Sequence, residues 1–296
     1  MADNQHRSGF VGIIGNPNVG KSTLMNALVG EKLSIVTAKA QTTRHRIMGI
    51  VNGEDFQIVY SDTPGILKPN YRLQENMLSF VDGAIGDSDI ILYVTDTVET
   101  SDKHVEYVEK MQKVGCPVIV VINKIDISDQ KKVLELVSYW KEQLPKATII
   151  PASAKERFGM ENIFQTILEH LPVCPPWYDK DAFTDKNLRF FASEIIREQI
   201  LLNYSQEIPY CCEVGIESFK EGDERYDIGA VIYVMRDSQK GIIIGKKGAS
   251  LKKVGTAARL EMEDFFQKKV FLSLFVKVDQ DWRESRKELR RFGYED

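Results

Sequence analysis

The sequence predicts two domains of different class: an α/β domain with a mostly parallel sheet covered by helices on both faces, then a smaller α+β domain. Short runs rich in Val and Ile alternate with longer amphipathic stretches, which is the pattern of buried strands separated by helices. The alternation stops near Leu171, and the proline-containing stretch Pro172–Phe183 cannot continue a helix. We therefore predict a first domain over residues 1–172, a linker over 173–183 and a second domain over 184–296.

Six apolar runs are the predicted strands of the first domain: Phe10–Ile14, Ile47–Val51, Phe56–Tyr60, Ile90–Val94, Pro117–Ile122 and Ala147–Ile150. Five amphipathic stretches are its predicted helices: Lys21–Val29, Leu73–Ile85, Lys103–Val114, Lys132–Gln143 and Met160–Leu171. The Asn52–Gly53 pair favours a hairpin, so we expect one antiparallel edge strand.

The second domain has a different predicted order. A helix is followed by two strands, a Gly-Lys-Lys-Gly turn, a second helix, a strand and a charged terminal helix. The predicted bounds are Leu188–Leu202, Cys211–Phe219, Ile228–Met235, Ala249–Phe266, Val270–Val278 and Trp282–Arg291. In Ala249–Phe266 the apolar residues recur every three or four positions, as on one face of a buried helix.

Composition excludes several classes of protein. The chain has 296 residues, 43% of them hydrophobic and 28% charged, with a net charge of −4, so it is neither wholly disordered nor histone-like. No apolar run approaches the roughly 18–20 residues of a membrane span, and the N-terminus has no hydrophobic secretion segment. The four cysteines form no C-x-x-C pair, so no zinc site is indicated. We expect a cytoplasmic protein.

A phosphate-binding motif follows the first predicted strand. The run Gly15–Ser22 fits G-x-x-x-x-G-K-[ST] and opens a helix, as this motif requires. Glycines let backbone N–H groups surround phosphates, Lys21 would reach the β- and γ-phosphates, and the Ser22 hydroxyl would hold Mg²⁺. The predicted contacts of this loop are Gly15, Asn16, Pro17, Asn18, Val19, Gly20, Lys21, Ser22 and Thr23.

Three further motifs each follow a strand, at the edge of the sheet where ligands bind in open α/β sheets. In Asp62-Thr63-Pro64-Gly65, Asp62 can orient a metal-bound water and the Gly65 N–H can meet the γ-phosphate. In Asn123-Lys124-Ile125-Asp126, the Asp126 carboxylate can accept from the N1–H and amine of guanine, and Lys124 can lie over the base. In Ser153-Ala154-Lys155, a backbone N–H can donate to guanine O6.

The series GNPNVGKS, DTPG, NKID and SAK resembles the G motifs of translation-factor-class GTPases. The segment Gln41–Gly49 resembles the first switch of the Era family. This resemblance implies a P-loop NTPase G domain that binds GTP and GDP. It also implies that Thr43 joins Ser22 and Asp62 at Mg²⁺ when γ-phosphate is present, with Thr42 as the alternative.

Catalysis poses a problem at Ile66. Ras-like GTPases place a Gln after D-x-x-G to position the attacking water, whereas Ile66 is aliphatic and cannot polarise water. Asn18 matches the P-loop asparagine with which related GTPases hold K⁺, while Arg44 and Arg46 are alternatives. The catalytic candidates are therefore Asn18, Lys21, Thr43, Asp62 and Gly65, and we expect slow intrinsic turnover that a partner stimulates.

The Gly245–Gly248 turn is the candidate RNA-binding element. Residues 236–259 hold seven basic side chains and one acidic side chain, and the turn resembles the loop with which KH domains clamp single-stranded nucleotides. A solvated helix face is the alternative interpretation of the basic run. The order of elements resembles a type II KH domain. The predicted RNA contacts are Gly245, Lys246, Lys247, Gly248, Lys252 and Lys253.

The resemblance to the Era family covers essentially the whole chain. It implies binding to the 3′ end of small-subunit (16S) rRNA, a role in assembly of the 30S ribosomal subunit, a monomeric state and a peripheral contact with the cytoplasmic face of the membrane. One alternative is an RNA-binding adaptor whose nucleotide site is structural. Another is a tRNA-modification or trafficking GTPase, which the KH-like segment disfavours.

Overall fold

The computed structural model describes residues 5–37, 39, 41–99 and 105–295, which form two compact units. The first comprises the described residues of Met1–Ser34, Thr43–Pro69 and Met77–Asp185. The second comprises those of Ile35–Thr42, Asn70–Asn76 and Lys186–Asp296. In the described ranges, no helix is long and apolar enough to span a membrane.

The first unit is built on a six-stranded sheet. Its strands are β1 (Arg7–Gly15), β2 (Ile47–Asn52), β3 (Phe56–Asp62), β4 (Ile90–Asp96), β5 (Val118–Asn123) and β6 (Thr148–Pro151). They lie in the order β2-β3-β1-β4-β5-β6. Only the β2–β3 pair is antiparallel, so the predicted antiparallel edge strand is present, joined to β3 by the short loop Gly53–Asp55.

Five helices accompany this sheet: α1 (Lys21–Val29), α2 (Arg72–Asp87), α3 (Val105–Lys113), α4 (Gln130–Gln143) and α5 (Met160–His170). The predicted start of the third helix, at Lys103, lies outside the described residues. One core cluster joins α2, α3 and α4 to β1, β4 and β5, with Trp140 packed edge-on against Tyr93 at 5.5 Å. Helix α1 packs against β1, β2 and β3 and contacts α5.

The residues of the predicted linker pack along the edge of this sheet. The backbone N–H groups of Trp177 and Tyr178 donate to Gln57 Oε1 at 2.7 and 2.9 Å, and the Ile50 N–H donates to the Phe183 carbonyl. These bonds satisfy polar groups on and beside β2, and residues up to Asp185 accordingly group with the first unit.

The described residues of the second unit form a three-stranded sheet and four α-helices. In chain order the elements are α6 (Leu188–Asn203), β7 (Glu213–Glu221), β8 (Arg225–Val234), α7 (Asp237–Ile244), α8 (Ala249–Phe266), β9 (Lys269–Val278) and α9 (Arg286–Arg291). Strand β8 pairs antiparallel with β7 and parallel with β9. Side chains of α6, α7 and α8 form one core with the inward side chains of the sheet.

Two elements of this unit differ from the sequence prediction. Helix α7 was not predicted, because Gly241 and the run Ile242–Ile244 favour extended backbone. A side chain caps the start of this helix: Gln239 Oε1 accepts from the backbone N–H groups of Met235 and Arg236, each at 3.0 Å. The terminal helix begins at Arg286 rather than at Trp282, and Ser285 caps it.

Candidate nucleotide-binding site

The phosphate loop lies between β1 and α1 and requires glycine at both ends. A Cβ at Gly15 would lie 2.2 Å from the Val94 carbonyl oxygen, and one at Gly20 would lie 2.3 Å from Asn123 Nδ2. Gly20 also has φ 96°, which glycine tolerates. No side chain caps α1, so the first turn presents backbone donors to an anion. Among the described residues the buried side-chain nitrogen of Asn16 has no hydrogen-bond partner, which fits a loop that binds a polar ligand.

Lys21 is buried beneath this loop. Its Nζ donates to the carbonyls of Gly15 and Asn16 at 3.0 and 2.9 Å. Burial lowers the pKa of Lys21 to about 8, although Asp62 and Glu99 partly oppose the shift. A phosphate would supply the negative charge that these neutral carbonyls lack, so the site favours an anionic ligand.

Ser22, Thr43 and Asp62 form one cluster of oxygen atoms. Ser22 Oγ donates to Asp62 Oδ2 at 2.7 Å and lies 2.7 Å from Thr43 Oγ1. Burial raises the pKa of Asp62, and the hydrogen bond from Ser22 and the charge of Lys21 partly oppose this. Two hydroxyls and a carboxylate are hard oxygen donors, so the cluster fits Mg²⁺.

Thr42, the alternative to Thr43, has different partners. Its hydroxyl donates to the Lys39 carbonyl at 2.6 Å and lies 2.9 Å from Thr37 Oγ1. Of the two threonines, the structure places Thr43 beside Ser22.

The segment Gly65–Ile66 lies against the phosphate loop. A Cβ at Gly65 would lie 2.8 Å from the Pro17 backbone, and the Ile66 N–H donates to the Gly15 carbonyl at 3.2 Å. The Ile66 side chain packs on the core beneath α2, α3 and α4. It therefore cannot act on a water molecule.

Of the two alternative arginines, one is bonded to other side chains of the first unit and the other is buried. Arg46 donates to Ser61 Oγ and Asp87 Oδ2, each at 2.7 Å. Arg44 is only 1% exposed. Asn18, by contrast, is exposed, with φ 66°, and its carbonyl accepts from Lys124 Nζ at 2.5 Å.

The base-recognition motifs meet at the ends of β5 and β6. Asn123 Nδ2 donates to the Val19 carbonyl at 2.8 Å, and its Oδ1 accepts from the Ala154 N–H at 3.0 Å. Ser153 Oγ donates to Asp126 Oδ1 at 2.6 Å, which orients an otherwise exposed carboxylate. The Ala154 N–H, one of the predicted donors to guanine O6, is thus engaged by Asn123. The Lys155 side chain is exposed and lies 3.4 Å from Glu156.

Sequence reasoning missed Asp96, which positions Lys124. Asp96 Oδ2 lies 2.6 Å from Lys124 Nζ, and its Oδ1 accepts from the N–H groups of Val98 and Glu99. Thr97 Oγ1 adds a bond to the Lys124 carbonyl at 3.1 Å. The sequence does contain a signal for Asp96, because this residue ends a buried strand, as Asp62 and Asn123 do.

The candidate RNA-binding residues lie in the second unit, on the turn between α7 and α8 and on the first turn of α8. Gly245 and Gly248 have φ 69° and 78°, and a Cβ at Gly245 would lie 2.2 Å from Ser250 Oγ. Lys246 and Lys247 are exposed at the tip. Lys252 and Lys253 are exposed on α8, and Ile242 beside the turn is 50% exposed.

Fold and motifs together define a G domain followed by a KH domain. The family model described as a 50S ribosome-binding GTPase matches residues 10–124, and the KH domain model matches residues 207–283. The chain is 44% identical over 297 residues to GTPase Era of Geobacter metallireducens, covering 99% of this chain and 100% of the relative. It is 43% identical to GTPase Era of Clostridium kluyveri, covering 97% and 99%. The chain therefore belongs to the Era GTPase family, and it binds and hydrolyses GTP.

A solved structure of an Era protein, in complex with MgGDPNP and nucleotides 1506–1542 of 16S ribosomal RNA, has the same fold. Its TM-score is 0.94 at 39% identity, covering 98% of this chain and 100% of that chain. The predicted fold class, a P-loop G domain followed by a KH domain, is confirmed.

The buried Lys21 predicts a pH dependence of stability in the nucleotide-free protein. The folded-state pKa of about 8 lies below that of an unfolded lysine, about 10.4, so the unfolded chain binds more protons between these values. The free energy of unfolding should therefore rise between about pH 8 and pH 10, by about 2 kcal/mol. Denaturant titrations of wild type and Lys21→Met measure this rise, which the variant should lack. If the free energies of unfolding of wild type and Lys21→Met changed in parallel with pH, burial would not lower the pKa of Lys21.

Proposed function

We propose that this GTPase binds small-subunit rRNA near its 3′ end through the Gly245–Gly248 turn and acts as a nucleotide-controlled switch in assembly of the 30S subunit. The GTP-loaded form binds the RNA or the precursor particle, and hydrolysis releases it. The observation that carries this proposal is the presence, on one chain, of the Ser22–Thr43–Asp62 cluster and an exposed double-lysine turn. The Era relative bound to a 16S rRNA fragment supports it.

The geometry and the family resemblance support the following proposed roles in the nucleotide site. Lys21 contacts the β- and γ-phosphates, Ser22 and Thr43 ligate Mg²⁺, Asp62 orients a water on the metal, and the Gly65 N–H senses the γ-phosphate. When bound, Mg²⁺ neutralises charge on the phosphate oxygens. Asp126 recognises guanine, Lys124 covers the base and, within Ser153–Lys155, the backbone N–H of Lys155 donates to O6, since those of Ser153 and Ala154 donate to Phe158 and Asn123. Hydrolysis relies on backbone groups, ordered water and K⁺ held by Asn18.

We further propose that the protein works as a monomer in the cytoplasm. A peripheral contact with the membrane is a proposal that rests on the family resemblance alone.

Guanine specificity should depend on Asp126. Asp126→Asn replaces the acceptor for the guanine N1–H and amine, so xanthine, which presents an oxygen there, should bind better than guanine. A site built to hydrogen-bond one base rejects another strongly, since buried polar groups are then left unpaired. Competition between GTP and XTP for binding to wild type and to Asp126→Asn measures this change in preference. An unchanged preference for GTP would rule out this loop as the base-recognition site.

Hydrolysis should depend on the monovalent cation. Exchanging Na⁺ for K⁺ at constant ionic strength should raise the turnover of the wild type, because a cation near Asn18 would stabilise charge on the transferred phosphoryl group. Asn18→Ala should remove the difference between the two salts while GDP binding persists. Equal wild-type rates in the two salts would contradict K⁺ assistance.

RNA binding should depend on the Gly245–Gly248 turn. Replacing Lys246 and Lys247 with Asp places negative charge against phosphates, so affinity for a single-stranded oligonucleotide of the 16S rRNA 3′ end should fall. The slope of log K for RNA binding against the log of the salt concentration should become shallower by roughly 0.7 for each lost phosphate contact.

The control for this experiment reverses Lys141 and Lys146, two exposed lysines of the first unit, which changes the net charge equally. That variant should keep the wild-type affinity and slope, and both variants should keep GTP binding. If reversal at 246 and 247 had no larger effect than the control, the turn would not be the RNA contact.

A further inference from the structure

A short segment before Thr43 is anchored to helix α6. The described residues of Ile35–Thr42 belong to the same compact unit as α6. Arg197 on α6 donates from Nη2 to the Thr42 carbonyl at 2.5 Å. Lys39 Nζ donates to the carbonyls of Leu201 and Tyr204 at the carboxyl end of the same helix, where a cation is also favoured by the helix dipole. Two cations thus hold this segment on one helix.

The anchor at Arg197 is rigid. Arg197 Nε and Nη2 donate to the two carboxylate oxygens of Glu194 at 2.7 and 2.6 Å, a bidentate pair on one face of the helix. The side chains of Arg197 and Glu194 are only 1% and 7% exposed. The pair fixes the plane of the guanidinium and so the direction of the Nη2 donor that reaches Thr42.

Stability of the fold alone does not account for this pair. Removing two charges from water is costly, and a buried ion pair often contributes no more stability than apolar side chains of the same volume. What an apolar pair could not provide is a donor to the Thr42 carbonyl. That carbonyl belongs to the peptide bond that joins Thr42 to Thr43, so holding it fixes the peptide plane from which Thr43 extends.

We propose that Arg197, assisted by Lys39, is a positioning residue for the hydroxyl of Thr43 as a ligand of Mg²⁺ in the GTP-bound protein. This inference rests on the metal-binding role of Thr43 in the proposed function. Groups that orient metal ligands typically contribute 10–100-fold to metal affinity or activity. Because the resemblance gives Thr43 its metal role only when γ-phosphate is present, the effect belongs to GTP and not to GDP.

The test compares two independent variants of the full chain. Glu194→Gln with Arg197→Met removes both buried charges together, so no unpaired charge is left in the core. Lys39→Met removes the second anchor at a half-buried position. The Mg²⁺ concentration that half-saturates binding of a non-hydrolysable GTP analogue should rise about tenfold in the first variant. This Mg²⁺ concentration should also rise in Lys39→Met, whereas the affinity for GDP should stay unchanged in both variants.

Gln199→Met is the matched control. Gln199 lies on the same helix, but its side chain donates to Glu261 at 2.7 Å. This variant also breaks a polar contact of α6, and it should keep the wild-type Mg²⁺ dependence.

A double-mutant cycle separates positioning from a general loss of stability. If Arg197 acts through Thr43, its removal should have little further effect in a Thr43→Ala background. Fully additive effects, or a wild-type Mg²⁺ response in both anchor variants, would overturn the inference and leave the proposed function intact. If the wild type bound the GTP analogue equally well with and without Mg²⁺, the proposed metal site would be wrong, and this inference with it.

Discussion

Asn123 joins the phosphate loop to the candidate base-recognition loop. Its amide donates to the phosphate loop at Val19 and accepts from the base-recognition loop at Ala154, and the side chain is 3% exposed. In the interior such bonds are expensive to lose, because each leaves a polar group unsatisfied. The contact also explains Gly20, where a Cβ would meet the amide nitrogen. One side chain at the end of β5 thus holds these two loops at a fixed distance from each other.

The same edge of the sheet holds two buried ionisable groups, Lys21 and Asp62, whose charged forms the protein alone stabilises poorly. Burial lowers the pKa of Lys21 and raises that of Asp62, so the unliganded site disfavours both charged forms. A phosphate near Lys21 and a cation near Asp62 would reverse both effects. Perturbed groups of this kind concentrate at functional sites, where the ligand supplies the missing charge. The electrostatics therefore favour binding of a metal–phosphate complex over either component alone.

The sequence predicted the parts of the molecule that local patterns determine. Buried parallel strands read as continuous Val- and Ile-rich runs, and polar motifs directly after them identify the site, as at Asp62 and Asn123. Tertiary contacts determined the rest. Helix α7 contains residues that favour a strand, and both the cap from Gln239 and the burial of Ile243 in the core support the helix instead. The placement of Phe183 beside Ile50 joins residues 133 positions apart, and no local pattern encodes it.

The packing of Ile66 explains why the chemistry of this GTPase must differ from that of Ras-like enzymes. An aliphatic side chain at that position has a favourable place in the core, and moving it toward water would expose apolar surface. Arg46 is held in bonds to Ser61 and Asp87, and releasing it would break both. An arginine finger is worth 10³–10⁵ in turnover in related chemistry. With Ile66 and Arg46 so engaged, neither supplies that gain from its present position. The proposed sources of acceleration are therefore backbone groups, ordered water, a cation at Asn18 or a partner. If a cation or a partner is the main source, the lifetime of the GTP-bound state depends on what the protein has bound.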